Sequence, residues 1–285
     1  MSQKGKQSRE YRGVRDEIRE QQLKTKNMPL KDKVKYFWGY YKIHVVITIF
    51  ILFLLGTLIH DISSTKDYSF YAIVSNASQL SGENIASSFT EYADLDTEEH
   101  ECIIDAAFSI SMQNYSQLDL AASQKLIALV QADELDSVVM DSSVFYNYSL
   151  SEMFVDLRTI FTEDELSEYE DNLYYIDYAE VELANKDSGY EEESASSYDP
   201  DAYTAESILK EAETHRHPEN MAEPVPVGIF LTDSPFVLET KTYSQTVPVF
   251  GIVCTSQKTD TCKKFLEFLW DENTDFSQMV QSGSY

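Results

Sequence analysis

Three adjacent polar residues, Asp141, Ser142 and Ser143, are the best candidate for a binding site in this sequence. They follow the short apolar stretch 136–141, which predicts a buried strand, and they open a segment with helical spacing. Ligands of open α/β sheets bind at the carboxyl ends of strands, because helix N–H groups and loop side chains converge there. The spacing therefore predicts ligand binding at this position. A simple helix cap at Ser142 is the alternative explanation.

Two further polar pairs, Ser75-Asn76 and Asp233-Ser234, follow other predicted strands. The carboxyl ends of parallel strands meet at one edge of a sheet, so both pairs are expected to face the same crevice as Asp141. Ordinary turn chemistry is the alternative for both pairs, because Asn, Asp and Ser favour turns. The predicted ligand set thus comes from three separate strand ends.

Aromatic side chains close to Asp141 complete the predicted site. Tyr146 is expected to form an apolar wall of the crevice, together with Phe145 and Tyr148. Core packing is the alternative for all three, because aromatic residues bury large apolar areas and dominate hydrophobic cores.

The sequence does not predict an enzyme. The histidines beyond residue 59 are His60, His100, His215 and His217, and no Gly-x-Ser-x-Gly or His-Glu-x-x-His motif accompanies them. One weak pairing joins His100 to Cys102, but a nucleophilic thiol needs an exposed position and a low pKa. Cys102 lies in an apolar run instead. We therefore predict no catalytic residues and no cofactor.

Neither a metal site nor a disulfide framework is indicated. Acidic residues crowd positions 94–99, but the glycine and the terminal Glu of a calcium-binding loop are missing. The three cysteines, Cys102, Cys254 and Cys262, leave at least one thiol free. Whether Cys254 and Cys262 pair stays open, because disulfide geometry is restrictive.

The order of predicted elements indicates an α/β domain. Strand, helix, strand, helix, strand is predicted from residue 67 to residue 141, which favours a sheet covered by helices. Ser81 is expected to cap the first of these helices. The predicted elements are strands at 67–75, 101–111 and 136–141, helices at 81–92 and 117–135, a helix or turn at 142–148, an amphipathic segment at 154–161 and a short helix from Thr162. The 117–135 helix should bury Leu118, Ala122, Leu126, Leu129 and Val130.

The composition changes over residues 187–223, which are rich in Glu, Ser, Asp and Tyr. This composition predicts an acidic, flexible, solvated insertion with a helix at Ala205–Thr214. Beyond it, strands are predicted at 225–231 and 247–255, joined by a loop. A final helix at 261–270, capped by Thr259, should bury Cys262, Phe265, Leu266 and Leu269.

A single apolar run at 43–59 separates regions of opposite charge. Residues 1–42 contain 12 Lys or Arg against 5 Asp or Glu, whereas residues 61–285 contain 10 against 44. Basic residues on one side of a run about 26 Å long fit the positive-inside rule. A cleaved signal peptide is the alternative, but its positive region is normally short. The formal net charge of −27 also disfavours nucleic acid as a partner.

The sequence therefore predicts three regions. Residues 1–42 form a cytoplasmic basic arm that ends in an aromatic juxtamembrane segment. Residues 43–60 form one transmembrane helix with the lipid bilayer as partner, and residues 66–285 form an extracytoplasmic α/β domain.

A series of matches to a known family lies between residues 125 and 161. It comprises a helix followed by Asp133, then the strand residues Asp136, Val138 and Val139, the helix start Ser142-Ser143, and Val155-Asp156-Leu157. This series resembles the first lobe of type II extracellular solute-binding proteins, the receptors of ABC importers. Residues 250–270 are similar to the C-terminal strand and helix of that family. Residues 33–44 resemble the start of uncharacterised single-pass proteins of low-GC Gram-positive bacteria.

The sequence also departs from the solute-binding family. Ala132 stands where the family has Gly, and Leu135 stands where Pro is usual. The domain is much shorter than a two-lobed receptor, so the second lobe is expected to be reduced or absent. The resemblance implies a non-enzymatic, membrane-anchored domain that captures a small-molecule or peptide ligand. The alternative is a ligand-free interaction or scaffold module of an envelope membrane complex, because one lobe cannot close over a ligand.

Overall fold

The computed structural model describes Arg19, Leu23 and residues 29–64, 67–96, 100–111, 116–187 and 204–281. The chain divides into two units, residues 1–65 and residues 66–285. Each unit is described by itself.

The first unit contains helix α1, Leu30–Ser64. The helix axis bends by 74° between the segments Leu30–Gly39 and Tyr41–Thr57. Among the described residues no single helix is long and apolar enough to cross a membrane, although these two segments meet the criteria of length and composition together. The hydroxyls of Thr48 and Thr57 donate to the carbonyls of His44 and Leu54, so both are satisfied within the helix.

The second unit is built on a mixed six-stranded sheet, as the predicted α/β class requires. Strands β1, β2 and β3 run parallel to one another, and β6, β5 and β4 continue the sheet in antiparallel fashion. The strand order is β2-β1-β3-β6-β5-β4. The strands are β1 Asp67–Val74, β2 His100–Asp105, β3 Ser137–Asp141, β4 Leu173–Asp177, β5 Pro224–Phe230 and β6 Pro248–Ile252.

Helices of the second unit connect these strands. They are α2 Gly82–Ala93, α3 Gln117–Gln131, α4 Ser142–Ser149, α5 Glu163–Ser167, α6 Tyr178–Asp187, α7 Ala205–Thr214, α8 Pro235–Thr240 and α9 Thr259–Leu269. Ser81 caps α2 as predicted, because its hydroxyl accepts the N–H of Asn84. Thr162 and Glu165 form a capping box at the start of α5.

Side chains of β1 fill a core on each face of the sheet. Phe70, Ala72 and Val74 pack on one face, where the Phe70 ring lies 5.1 Å from that of Phe265 in α9. Tyr71 and Ile73 pack on the other face. A strand buried on both faces reads as a continuous apolar run, which explains the clear signal of this segment in the sequence.

Two predicted elements end earlier or fold differently. Strand β2 stops at Asp105 rather than at residue 111, because the Asp105 carboxylate accepts the N–H of Ala107 and turns the chain. Residues 154–161 do not form an amphipathic helix. Phe154 bridges to Val253, and a short 3-10 turn follows at Leu157–Thr159, where the Asp156 carboxylate accepts the N–H of Arg158.

The buried face predicted for α3 is only partly correct. Leu126 is fully buried, but Leu118 is 81 % exposed. Ala122, Leu129 and Val130 are half-buried beside the core. Leu118 lies in the first turn of the helix, within the capping box that Ser116 forms with Asp119.

Part of the predicted insertion is folded. Residues 188–203 lie outside the described residues, but α7 lies where a helix was predicted and buries Ile208 and Ala212. His215 is 8 % exposed, and its ring stacks on Tyr174 of β4 at 4.4 Å. The helix predicted at Ala205–Thr214 is therefore confirmed, and the residue after it, His215, contacts β4, a strand that the sequence reading missed.

The C-terminal elements also differ from the prediction in detail. Helix α8 lies inside the predicted loop between β5 and β6. Helix α9 begins at Thr259, so Thr259 is not its cap, and Lys258 at the cap position makes no side-chain cap bond. The predicted buried face of α9 is correct, because Cys262, Phe265, Leu266 and Leu269 are fully buried.

One buried carboxylate joins several of these elements. Asp136, 1 % exposed, lies just before β3. Its Oδ2 accepts the N–H of Tyr71 in β1 at 2.9 Å and the ammonium of Lys258 at 3.1 Å. Its Oδ1 accepts the Ser256 hydroxyl at 2.7 Å, and its backbone carbonyl accepts the N–H of Val253 at 3.0 Å. Asp136 thus connects β1, β3, the end of β6 and the start of α9.

We expect Asp136→Ala to lower the free energy of unfolding by about 3 kcal/mol, because the buried Tyr71 N–H and Ser256 hydroxyl lose their acceptor. Urea denaturation of the full chain in mild detergent measures this change. The exposed neighbour substitution Glu134→Ala is the control and should stay within about 0.5 kcal/mol of the unsubstituted chain. Equal effects of the two substitutions would contradict the role given to Asp136.

Candidate functional site

The predicted site lies at the carboxyl ends of the neighbouring inner strands β1 and β3. Ala72, Ile73 and Val74 pair in parallel register with Ser137, Val138 and Val139. Directly after β1, the N–H of Ser75 donates to the carbonyl of Val139 at 2.8 Å. The two strand ends therefore deliver Asn76 and Asp141 to the same place, as the sequence predicted.

Asn76 holds this strand end in position. It adopts a left-handed conformation with φ of 56°, which Asn tolerates better than most residues. Its side-chain N–H groups donate to the Ile110 carbonyl at 2.9 Å and to Asp141 Oδ2 at 2.7 Å. Its Oδ1 accepts the Ile110 N–H at 3.1 Å and the Ser109 hydroxyl at 2.9 Å. Asn76 is therefore a positioning residue that orients the Asp141 carboxylate.

Asp141 is a buried acid with one oxygen unused. The residue is 8 % exposed, and among the described residues no hydrogen-bond partner reaches its Oδ1. Burial raises the pKa of Asp141 above its ordinary value of 3.8, and interactions with Thr246 and Asn76 oppose that shift. An unpaired acceptor in a buried position costs free energy, so it favours any ligand that brings a donor.

The loop after α8 lies across from Asn76 and Asp141 and forms the second wall of a cleft. Tyr243 has φ of 58°, and its hydroxyl donates to the Ser75 carbonyl at 2.5 Å. Burial, with a smaller contribution from the nearby Asp141 charge, raises the pKa of Tyr243 well above its ordinary value. Tyr243 therefore stays a neutral donor. Sequence reasoning missed this residue, and its position in a loop between two predicted strands was the only signal available.

A cleft of about 350 Å³ opens between these walls. Its polar lining consists of Asn76, Ser111, Asp141, Ser143, Tyr243, Ser244, Gln245 and Thr246. Its apolar lining consists of Ile110, Val144 and Ile208. Ile208 belongs to α7, in the segment expected to be solvated. The volume falls within the range of small-molecule sites, and the described part of the lining contains no Lys or Arg.

The other predicted residues take different positions. Ser142 is 1 % exposed, and its hydroxyl is buried without a partner, so it does not cap α4. Asp141 occupies the cap position of α4 but makes no side-chain cap bond. The Ser75 side chain is buried, and its backbone carbonyl makes the contact with Tyr243. Only Asn76, Asp141 and Ser143 of the predicted set line the cleft.

Asp233, Ser234 and Tyr146 do not line the cleft. Ser234 is fully buried and caps α8 through the N–H of Val237, while Asp233 is exposed, so ordinary turn and cap chemistry explains this pair. The Tyr146 hydroxyl donates to Glu180 at 2.8 Å, and its ring lies 5.0 Å from that of His215.

Phe145 belongs to the core, stacked on Phe154 at 4.0 Å. Glycine at position 251 allows this approach, because a Cβ there would lie 2.5 Å from the Phe145 ring.

The cysteines do not form a reactive centre. Cys102, Cys254 and Cys262 are all free thiols. Burial raises the pKa of Cys102 to about 11 and that of Cys262 to about 12. Neither thiol is a thiolate at neutral pH, and a thiolate is the nucleophilic form. Among the described residues no group of three or more His, Cys, Asp and Glu side chains is arranged to hold a metal ion.

Comparison of the chain with protein families, curated proteins and solved structures finds no match. The resemblance to solute-binding proteins therefore stays a prediction, and the function has to be argued from the geometry of the cleft.

We expect Asn76→Ala to lower the free energy of unfolding by about 3 kcal/mol, because it removes four hydrogen bonds and places Ala in a left-handed conformation. Asn76→Gly should cost about 1 kcal/mol less, since glycine adopts the same φ without strain. Chemical denaturation of the three proteins measures both differences. Losses below about 0.5 kcal/mol for both variants would show that Asn76 does not hold the strand end.

Proposed function

We propose that this chain is a membrane-anchored extracytoplasmic protein that reversibly binds a small ligand in the Asp141 cleft without transforming it. The ligand carries an ammonium group or several hydroxyl groups. The second unit provides the site, and residues 43–60 provide the anchor. The class of protein is that of a solute-binding domain, in agreement with the resemblance noted for residues 125–161.

The unused oxygen of Asp141 is the observation that carries this proposal. A buried carboxylate oxygen without a donor, as Asp141 Oδ1 is among the described residues, is costly inside a fold. Asn76 nevertheless fixes its orientation from the neighbouring strand at 2.7 Å. A fixed acceptor at the end of a polar cleft is the arrangement expected for recognition of a donor group.

The charge of the surroundings selects the kind of donor. The cleft lining offers hydroxyl and amide groups and one acid, and no basic side chain of the described chain lines it. The whole chain has a net charge of −27, so its field attracts cations and repels anions. A primary amine, as in an amino acid ester or a polyamine, fits Asp141 best. The hydroxyls of a sugar are the second class that fits the lining, and a short peptide with a free amino group is the third.

The membrane anchor rests on α1. Its apolar side chains from Val46 to Leu55 are about half or more exposed, including Phe50 at 60 % and Phe53 at 66 %. A continuous exposed apolar surface of this kind favours contact with lipid or with another apolar surface. The basic residues that precede it favour a cytoplasmic start of the chain. The bend near Tyr40 places the juxtamembrane segment at an angle to the apolar one.

The alternative is an interaction module of an envelope membrane complex that binds no small ligand. The observation that favours it is the uncovered edge of β2, whose backbone pairs only with β1 among the described residues.

The ligand hypothesis is tested with the full chain in mild detergent, by thermal shift followed by calorimetry with polyamines, amino acid derivatives, sugars and short peptides. A ligand at 100 times its Kd adds about 2.7 kcal/mol of stability. Asp141→Asn should weaken an amine ligand about 10- to 100-fold, because a charge-assisted hydrogen bond is lost. Glu134→Gln removes the same charge from an exposed position and should not change Kd. Binding by none of these classes would overturn the proposal.

The same binding reaction has a pH dependence with a defined sign. The pKa of Asp141 is raised above 3.8, so an amine should bind most tightly above the raised pKa and more weakly as the pH falls through it. Without ligand the sign is opposite, because burial of the charged form costs stability above the raised pKa and protonation relieves that cost at lower pH. Asp141→Asn should remove both effects.

Cys254 is a native reporter of topology, because it is the exposed thiol among the described cysteines. A membrane-impermeant maleimide at about pH 8 should label the chain on intact cells, and Cys254→Ser should abolish the label. Burial raises the pKa of the Cys254 thiol, so labelling should accelerate with pH. Labelling that requires cell lysis would contradict an extracytoplasmic second unit.

A further inference from the structure

The fold covers one edge of the sheet with its own chain. At β4, the N–H of Tyr175 donates to the His215 carbonyl at 2.9 Å, and the His215 ring nitrogen Nδ1 lies 2.8 Å from the Tyr175 carbonyl oxygen. The end of α7 thus satisfies both backbone groups of Tyr175 at this edge, which is a common protection against pairing with another strand.

The opposite edge has no such cover among the described residues. β2, His100–Asp105, pairs with β1 on one side only. Outside that pairing, no described backbone group hydrogen-bonds with the backbone of these six residues. Alternate N–H and C=O groups of an edge strand point away from the sheet, where an added strand can bond with them.

A groove of about 790 Å³ runs beside this edge, between β2 and α2. Ala86 and Thr90 line it from the helix, and Cys102 and Ile104 line it from the strand. Gly82 allows the start of α2 to lie against the end of β2, because a Cβ at this position would collide with the Ile104 carbonyl oxygen. The groove therefore offers a partly apolar wall parallel to free backbone groups, which is the geometry that strand addition uses.

The charge of the groove decides which kind of strand fits. Glu83 and Glu101 line it, and no Lys or Arg is among those lining residues that the structure describes. A second copy of the chain would bring its own acidic edge against this one, and like charges across a strand pair are destabilising. A segment that alternates basic and apolar residues is complementary, since side chains of an added strand alternate between the two faces.

We propose that the β2 edge is a second binding site, which captures an extended Lys- or Arg-containing segment of a partner protein by strand addition. The backbone of His100–Asp105 provides the hydrogen bonds. Ala86 and Cys102, on the face covered by α2, contact the apolar residues of the segment, and Glu101, on the opposite face of β2, pairs with its basic residues. Glu83 adds negative charge at the start of α2. The lining residues of this groove and of the Asp141 cleft do not overlap, so the site is independent of the small-ligand hypothesis.

Hydrogen exchange of the full chain in mild detergent tests this proposal, with the acetylated and amidated peptide Lys-Val-Lys-Val-Lys-Val as probe. Saturating peptide should slow exchange at residues 100–105 at least about tenfold. Residues 173–177 provide the internal control and should not change, because the β4 edge is already covered. The twin peptide with Glu in place of Lys should bind at least about tenfold more weakly.

Two matched double variants test whether peptide binding depends on the charge of the groove or on the net charge of the chain. Glu83→Lys with Glu101→Lys reverses the charge of the groove and should weaken peptide binding at least about tenfold. Glu91→Lys with Glu134→Lys changes the net charge of the chain by the same amount at exposed positions outside the groove, and should leave binding within about twofold. Both double variants are checked for an unchanged melting temperature.

Several results would overturn the proposal. One is unchanged exchange at residues 100–105 at about 1 mM Lys peptide. Equal binding of the peptide with Glu in place of Lys would show that the acidic groove does not select basic segments. Protection of residues 100–105 that rises with protein concentration without peptide would assign the edge to a second copy of the chain. Loss of peptide binding in Asp141→Asn would place the peptide in the Asp141 cleft instead.

Discussion

The buried carboxylate of Asp136 is the interaction on which the second unit depends most. It lies where β1, β3 and the chain after β6 meet, and it accepts hydrogen bonds from Tyr71, Ser256 and Lys258. A group with three donors from distant segments fixes the relative register of those segments, because each bond fails if one strand slips by a residue. The register of β1 on β3 then determines which residues meet at the far end of both strands.

The Asn76–Asp141 contact is a consequence of that register. Asn76 follows β1 and Asp141 ends β3, and their side chains meet at 2.7 Å because the two strands run parallel in a register that pairs Val74 with Val139. The cleft therefore depends on a bond network at the opposite end of the strands. This arrangement places the paired acid at the start of β3 and the acid with an unused oxygen, where we propose that a ligand binds, at its end.

The two edges of the sheet show a second division of roles. β4 is covered by the end of α7, where His215 satisfies both backbone groups of Tyr175. β2 has an acidic groove and no such cover among the described residues. Acidic residues beside an open edge limit pairing between copies of the chain, because like charges repel. The acidic composition of the chain thus places negative charge beside the β2 edge, where it opposes pairing with a second copy.

Local sequence patterns determined much of the second unit. The strand β1, the cap at Ser81 and the buried face of α9 were readable, because periodicity and capping depend on neighbours in the chain. The polar residues after β1 and β3 predicted the cleft. The sequence did not reveal β4, the contact of His215 with it or the role of Tyr243. It also predicted the wrong location for Asp233 and Ser234. These features depend on contacts between segments that are distant in the sequence, such as His215 with Tyr175 and Tyr243 with Ser75. Composition and spacing carry no information about such pairs, so only the tertiary structure decided them.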